Sequence, residues 1–105
     1  MKKAILNLKA EALQAIAQPT RLKILGCLRG GERCVCEIFP AIDEEQSNVS
    51  RHLAVLRKAG LVTCWKEGPK VIYKVKSEEV FKIIDGISNI IRVQHKEKEA
   101  LIKQL

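Results

Sequence analysis

Between Gln46 and Val75 the period of the hydrophobic pattern changes from helical to alternating, and that change limits the folds open to this chain. In QSNVSRHLAVLRKAG the apolar residues Val49, Leu53 and Leu56 recur at i, i+4 and i+7, one narrow stripe of a helix that Gly60 stops. In LVTCWKEGPKVIYKV apolar and polar residues alternate on either side of Glu67-Gly68-Pro69-Lys70, which reads as two strands joined by a turn. A helix from Gln46 or Ser47 to Ala59 followed by a hairpin is the order of a recognition helix and its wing. An ordinary amphipathic helix and a solvated edge hairpin explain each part but not the order.

The upstream segments fit the same frame. From Ala4 to Ala17 the positions Ile5, Leu8, Ala12, Leu13 and Ile16 have helical spacing, and Pro19 closes the segment. Thr20 opens a second, short helix with a stripe of Leu22, Leu25 and Leu28, ended by Gly30-Gly31. A third helix is expected from Cys36 to about Ile42, and the acidic turn Asp43-Glu44-Glu45 joins it to the fourth as a helix-turn-helix. Beyond the hairpin Ser77 is a candidate N-cap, and Val80, Ile83, Ile84, Ile87, Ile90 and Ile91 form an apolar face too wide for solvent. The tail after Gln94 is highly charged and is expected to fray. The expected fold is mainly α with a β-hairpin: five helices and a two-stranded wing in one domain over residues 1–105.

Composition separates function classes. With 105 residues, 47% of them hydrophobic, the chain can build one core but not two. Nineteen Lys and Arg against 12 Asp and Glu leave a net charge of +7, which favours a polyanionic partner such as double-stranded DNA. Charged residues interrupt every apolar run before the roughly 20 positions a membrane span needs, so a cytoplasmic protein with no membrane partner is expected. No nucleophile with a neighbouring base, no phosphate loop and no Cys-x-x-Cys in a βαβ context argues for an enzyme. The expected DNA contacts are Gln46, Ser47, Asn48, Ser50, Arg51 and His52, with Lys66 and Lys70 on the wing. Ser47 and Asn48 are assigned to base edges, Arg51 and the lysines to phosphates, and His52 to the DNA backbone or to local packing. Trp65 and Tyr73 are read as a cross-strand pair, and His95 as solvated.

Cys34-Val35-Cys36 carries a second constraint. On a regular helix, residues i and i+2 lie about 200° apart and cannot share an ion, so chelation needs non-helical backbone at Cys34. Pro40 would clash with the Cys36 carbonyl inside a longer helix, so the third helix should begin near Cys36 or Glu37. Sulfurs at a helix amino terminus beside Arg33 should be partly thiolate, with Glu32 and Glu37 opposing this.

QPTRLKILGCL, CVCEI and QSNVSRHLAVLRKAGLV, in that order and followed by a hairpin, resemble the ArsR/SmtB family of winged helix-turn-helix repressors. The resemblance covers about Ala15 to Val75. It implies a homodimeric cytosolic repressor, paired through its first and last helices, that leaves its operator when an inducer binds. It further implies that Cys34 and Cys36 take a soft thiophilic ion: arsenite foremost, with cadmium, lead, zinc and antimonite also open. Arsenic sensors of the best-known type have a third cysteine where Phe39 stands here, so Cys64 or Cys27 would have to supply another thiolate. Cys64 is the ligand assigned, and Cys27, after an apolar run, is read as core. The zinc site of other members needs an Asp-x-His pair, but Ile87 follows Asp85 at that spacing, so no such site is expected. The alternative is a repressor switched by cysteine oxidation or reactive sulfur.

Overall fold

A computed structural model describes residues 2–105. The first helix, α1, runs Lys2–Ile16, and α2 follows at Pro19–Cys27. Gln18 between them is extended, its side chain accepts the Arg21 N–H at 2.9 Å, and Pro19 occupies the first turn, where its missing N–H costs nothing. Pro19 therefore both ends one helix and starts the next, one residue before the expected Thr20. In α2 the buried residues are Ile24 and Leu25, continued by Leu28 in a single 3-10 turn, whereas Leu22 is exposed. Leu25 and Leu28 of the expected stripe are thus buried and Ile24 takes the place of Leu22, a rotation of about 50°.

A two-residue strand, β1 (Arg33–Cys34), leads into α3 (Val35–Ala41). Asp43, with φ of 54°, turns the chain, and the Glu44 N–H donates to the Phe39 carbonyl at 3.0 Å before α4 (Gln46–Lys58) begins. Strands β2 (Val62–Glu67) and β3 (Lys70–Val75) form the wing. Gly68, with φ of 60°, allows its two-residue turn. The sheet is antiparallel with order β1-β3-β2, so the wing has a third strand too short to reveal alternation in the sequence.

The register corrects one expectation. Trp65 lies opposite Ile72 and Tyr73 opposite Cys64, so Trp65 and Tyr73 project from opposite faces and do not pair. Pairing them would need a loop centred on Pro69, whereas the turn is centred between Gly68 and Pro69.

The core gathers Ile24, Leu25, Ile38, Val49, Leu53 and Leu56, all fully buried, against Val62, Tyr73 and Val75 of the wing. Val80 and Phe81 close it from the first turn of α5 (Glu79–Lys103), where the Ser77 hydroxyl accepts the Glu79 N–H at 3.2 Å. Arg29 clasps α5 from below: its guanidinium makes two bonds to Asp85, 2.8 and 3.1 Å, and lies 4.8 Å from the Phe81 ring centre. The charged tail does not fray but continues the helix to Lys103, with His95 exposed and 3.0 Å from Glu99 one turn on. Spaced opposite charges support an exposed helix where composition alone suggested disorder. Ile83, Ile87, Ile90 and Ile91 stay exposed, and Ile83, Ile87 and Ile91 border, with Leu13 and Leu22, an apolar groove of about 460 Å³. No helix among the described residues is long and apolar enough to cross a membrane.

Candidate nucleic-acid interface and cysteine site

The α4 stripe Val49, Leu53 and Leu56 is fully buried, which fixes what the rest of the helix presents. At 3.6 residues per turn, Ser47, Arg51, Ala54 and Lys58 point within about 40° of the direction opposite that stripe. All four are exposed, as are Gln46 and Ser50 on the flanks. Glu45 is the N-cap but makes no side-chain capping bond, so Gln46 is the first helical residue. The Asn48 amide is engaged at both ends: Nδ2 donates to Glu44 Oε2 at 3.1 Å, and Oδ1 accepts Arg51 Nη2 at 2.6 Å. Lys23 Nζ lies 3.7 Å from the other Glu44 oxygen.

His52 is not on this face. It is 9% exposed, and its Nδ1 lies 3.2 Å from Arg21 Nη1. Arg21 also donates through Nε to the Ala15 carbonyl at 2.6 Å and through Nη2 to the Gln14 carbonyl at 3.3 Å, so one guanidinium joins the end of α1 to the middle of α4. Burial holds His52 below the ordinary histidine range, with Arg21 and Arg51 adding to the effect and Glu44 opposing it. A DNA-backbone contact for His52 is therefore corrected to local packing. The sequence signal was available, because residue 52 is i+3 from Val49 and i−4 from Leu56.

On the wing, Lys66 and Lys70 are both exposed, but Lys66 pairs with Val71 and Lys70 with Glu67, so they extend from opposite faces of the sheet. The Trp65 indole donates to Glu67 Oε1 at 3.1 Å and is not a free stacking surface.

The cysteine pair sits where wing and helix-turn-helix join. Cys34 is extended, with φ −67° and ψ 145°, and serves as the α3 N-cap: its sulfur accepts the Cys36 N–H at 3.1 Å, and Glu37 Oε1 accepts the Cys34 N–H at 3.1 Å. The helix begins at Val35, one residue earlier than expected, and takes Pro40 into its last turn. Pro40 has no N–H for the Cys36 carbonyl, so the first turn of α3 lacks one of its bonds. The extended backbone at Cys34 brings the two sulfurs into disulfide contact, with Cα atoms 5.1 Å apart. Cys34 is 2% exposed, whereas Cys36 is exposed.

Cys64 does not join them. Cys34 pairs with Ile72 and Cys64 with Tyr73, neighbouring residues of β3 whose side chains leave opposite faces. Cys64 instead lies 3.5 Å from Arg57 Nη1 beside the buried Tyr73, whose hydroxyl is pushed above the usual tyrosine range by burial and then by Cys64. Its assignment as third ligand is thus corrected within a single chain. Cys27 is half-buried against the core, and no cluster of three metal-ligating side chains occurs among the described residues. Arg33, on the opposite face of β1 from Cys34, directs its guanidinium to the Glu32 carbonyl.

Known proteins share this fold. Residues 18–63 match the family described as "Bacterial regulatory protein, arsR family". The arsenical resistance operon repressor of Escherichia coli K12 is 32% identical over 99 residues, 93% of this chain and 85% of that protein. The HTH-type transcriptional repressor SmtB of Mycobacterium tuberculosis is 38% identical over 80 residues, 76% of this chain but 59% of the relative's length. The solution structure of a homodimeric winged helix-turn-helix DNA-binding domain from Mycobacterium bovis, a possible ArsR-family regulator, superimposes with a TM-score of 0.77 at 31% identity, covering 91% of this chain and 88% of that one. These proteins are transcription regulators, not enzymes. With its helix-turn-helix matched in sequence and its helices and wing matched in space, this chain belongs to the ArsR family of transcription regulators.

Proposed function

We propose that this chain is a cytoplasmic repressor that binds double-stranded operator DNA as a homodimer, and that a soft thiophilic ion releases it by engaging Cys34 and Cys36. The observation that carries the reading is the double position of Cys34. Its backbone pairs with β3 of the wing, and its sulfur caps α3, which packs on the recognition helix α4. An ion held by both sulfurs has to part them from their present contact, which shifts the start of α3 against the wing, so wing and recognition helix are disturbed from one point. A coupling of about 1–3 kcal/mol between the two sites gives a 5–150-fold change in operator affinity.

The donor set fits a soft ion in part. Two convergent sulfurs are suited to a thiophilic centre, and Cys34 and Cys36 would hold it. A trivalent ion finds no third thiolate in the same chain, so its remaining position falls to an external thiol or to water. Arsenite is the first inducer to test, because the Escherichia coli relative is an arsenical resistance operon repressor; antimonite, cadmium, lead and zinc follow. Dimerisation through α1 and α5 is supported by the exposed isoleucines of α5 and by the homodimeric relative from Mycobacterium bovis.

The test is a titration of arsenite into reduced protein on a fluorescent duplex from its own promoter. Release at a few ions per dimer, lost in Cys34→Ser while DNA binding persists, is the expected result. Release retained in Cys34→Ser sinks the assignment of the site.

The disulfide contact of the same sulfurs supports a second reading, in which peroxide oxidises the two thiols to a disulfide and is itself reduced to water. Loss of two titratable thiols together with release, in the absence of any ion, would favour it.

A further inference from the structure

Resting on the DNA-binding reading above, we propose that Arg51 is the base-reading side chain of α4, that its target is guanine, and that Asn48 and Glu44 are its positioning residues. This reverses the expected division of labour, in which Asn48 read bases and Arg51 held a phosphate. Next to Arg51 the outward face of α4 carries Ser47 and Ala54, with Ser50 and Val55 at the flanks and Lys58 two turns on, so over the first two turns the helix backbone can approach a groove floor closely. Arg51 is the one long side chain in the centre of that face over the first two turns.

Asn48 cannot read adenine while its amide stays in place. Recognition of adenine by asparagine uses the carbonyl and the NH₂ together, and here the carbonyl accepts from Arg51 at 2.6 Å while the NH₂ donates to Glu44 at 3.1 Å. Glu44 is in turn held from α2 by Lys23 at 3.7 Å. The chain Lys23, Glu44, Asn48, Arg51 runs from the scaffold to the exposed guanidinium and fixes its direction. The bond to Asn48 uses one hydrogen of Nη2. One hydrogen of Nη2, both of Nη1 and that of Nε remain, enough for a donor fork that fits O6 and N7 of guanine. A guanidinium ordered in advance loses less entropy when it binds a base edge.

The experiment selects duplexes from a randomised pool with the full-length protein, then measures affinity for the selected duplex and all its single base-pair variants. The expected result is a guanine in each half-site whose replacement weakens binding about 5- to 150-fold. That preference should vanish in Arg51→Ala and be blunted in Arg51→Lys, which keeps a donor but not the fork, and in Asn48→Ala, while affinity for unselected DNA changes little. A uniform loss across all sequences in Arg51→Ala, with a shallower dependence on salt, would make Arg51 a phosphate contact and overturn the inference. An unchanged guanine preference in Arg51→Ala overturns it as well. Failure of the wild-type protein to bind any duplex overturns the DNA reading itself, and this inference with it.

Discussion

His52 couples the protonation state of one ring to the docking of the recognition helix. Its Nδ1 accepts from Arg21, and Arg21 is held by two carbonyls at the end of α1. Protonation turns that acceptor into a donor facing a cation. Unfolded, His52 binds a proton at the ordinary value of about 6.5; folded, burial and the arginines Arg21 and Arg51 outweigh Glu44 and hold the value lower. The unfolded chain thus binds more protons between these values, and stability is lost as pH falls below about 6.5. Urea unfolding midpoints at pH 7.5 and pH 5.5 should differ in the wild type and differ less in His52→Gln. An equal pH dependence in the variant would assign the effect elsewhere. The position of His52 was readable from its spacing to Val49 and Leu56, but its partner was not, because Arg21 lies 31 residues away on another helix.

At the scale of elements, α5 is held to the body mainly by its first two turns. Val80 and Phe81 are buried, Ile84 packs half-buried against the core, and the Arg29 clasp reaches Asp85 and Phe81. Both ends of the ion pair are substantially solvated, which limits its contribution to about 0.2–1 kcal/mol, and the cation–π contact adds about 0.5–1 kcal/mol. Arg29→Ala should therefore lower stability by about 1 kcal/mol, readable as a shift of the urea midpoint at unchanged slope. Asp85→Asn, which keeps an acceptor, should cost less. The helices and the hairpin were legible because each has at least one full period of pattern. Strand β1 was not, since two residues carry no period, and it is this strand that ties Cys34 to the wing. The hairpin itself was legible, but not which residues face each other across it: moving the turn by half a residue separates Trp65 from Tyr73.

For the whole molecule, the unpaired surface is the best guide to assembly. Leu8, Leu13, Ile83, Ile87, Ile90 and Ile91 are each between 43% and 66% exposed, a density of apolar side chains that a monomer does not keep in water. Ile87→Glu, at the middle of the α5 face, should shift the protein to a monomer in sedimentation and weaken operator binding at least tenfold, because one recognition helix then binds without its partner. A dimeric Ile87→Glu protein would move the interface off α5. Fold class and the convergence of Cys34 and Cys36 were legible in the sequence. The separation of Cys64 from them was not, because strand register decides which face of the wing Cys64 occupies.

The unequal exposure of Cys34 and Cys36 gives the proposed response an order in time. A thiophilic reagent arriving from solvent meets Cys36 first, since Cys34 is 2% exposed beneath the start of α3. Closure onto the second sulfur is then a step within one molecule, because the extended backbone at Cys34 already holds the two sulfurs in contact. Capture should rise linearly with reagent concentration, while closure should not depend on it. How quickly such a regulator answers at high dose is a property of two neighbouring sulfurs, not of diffusion.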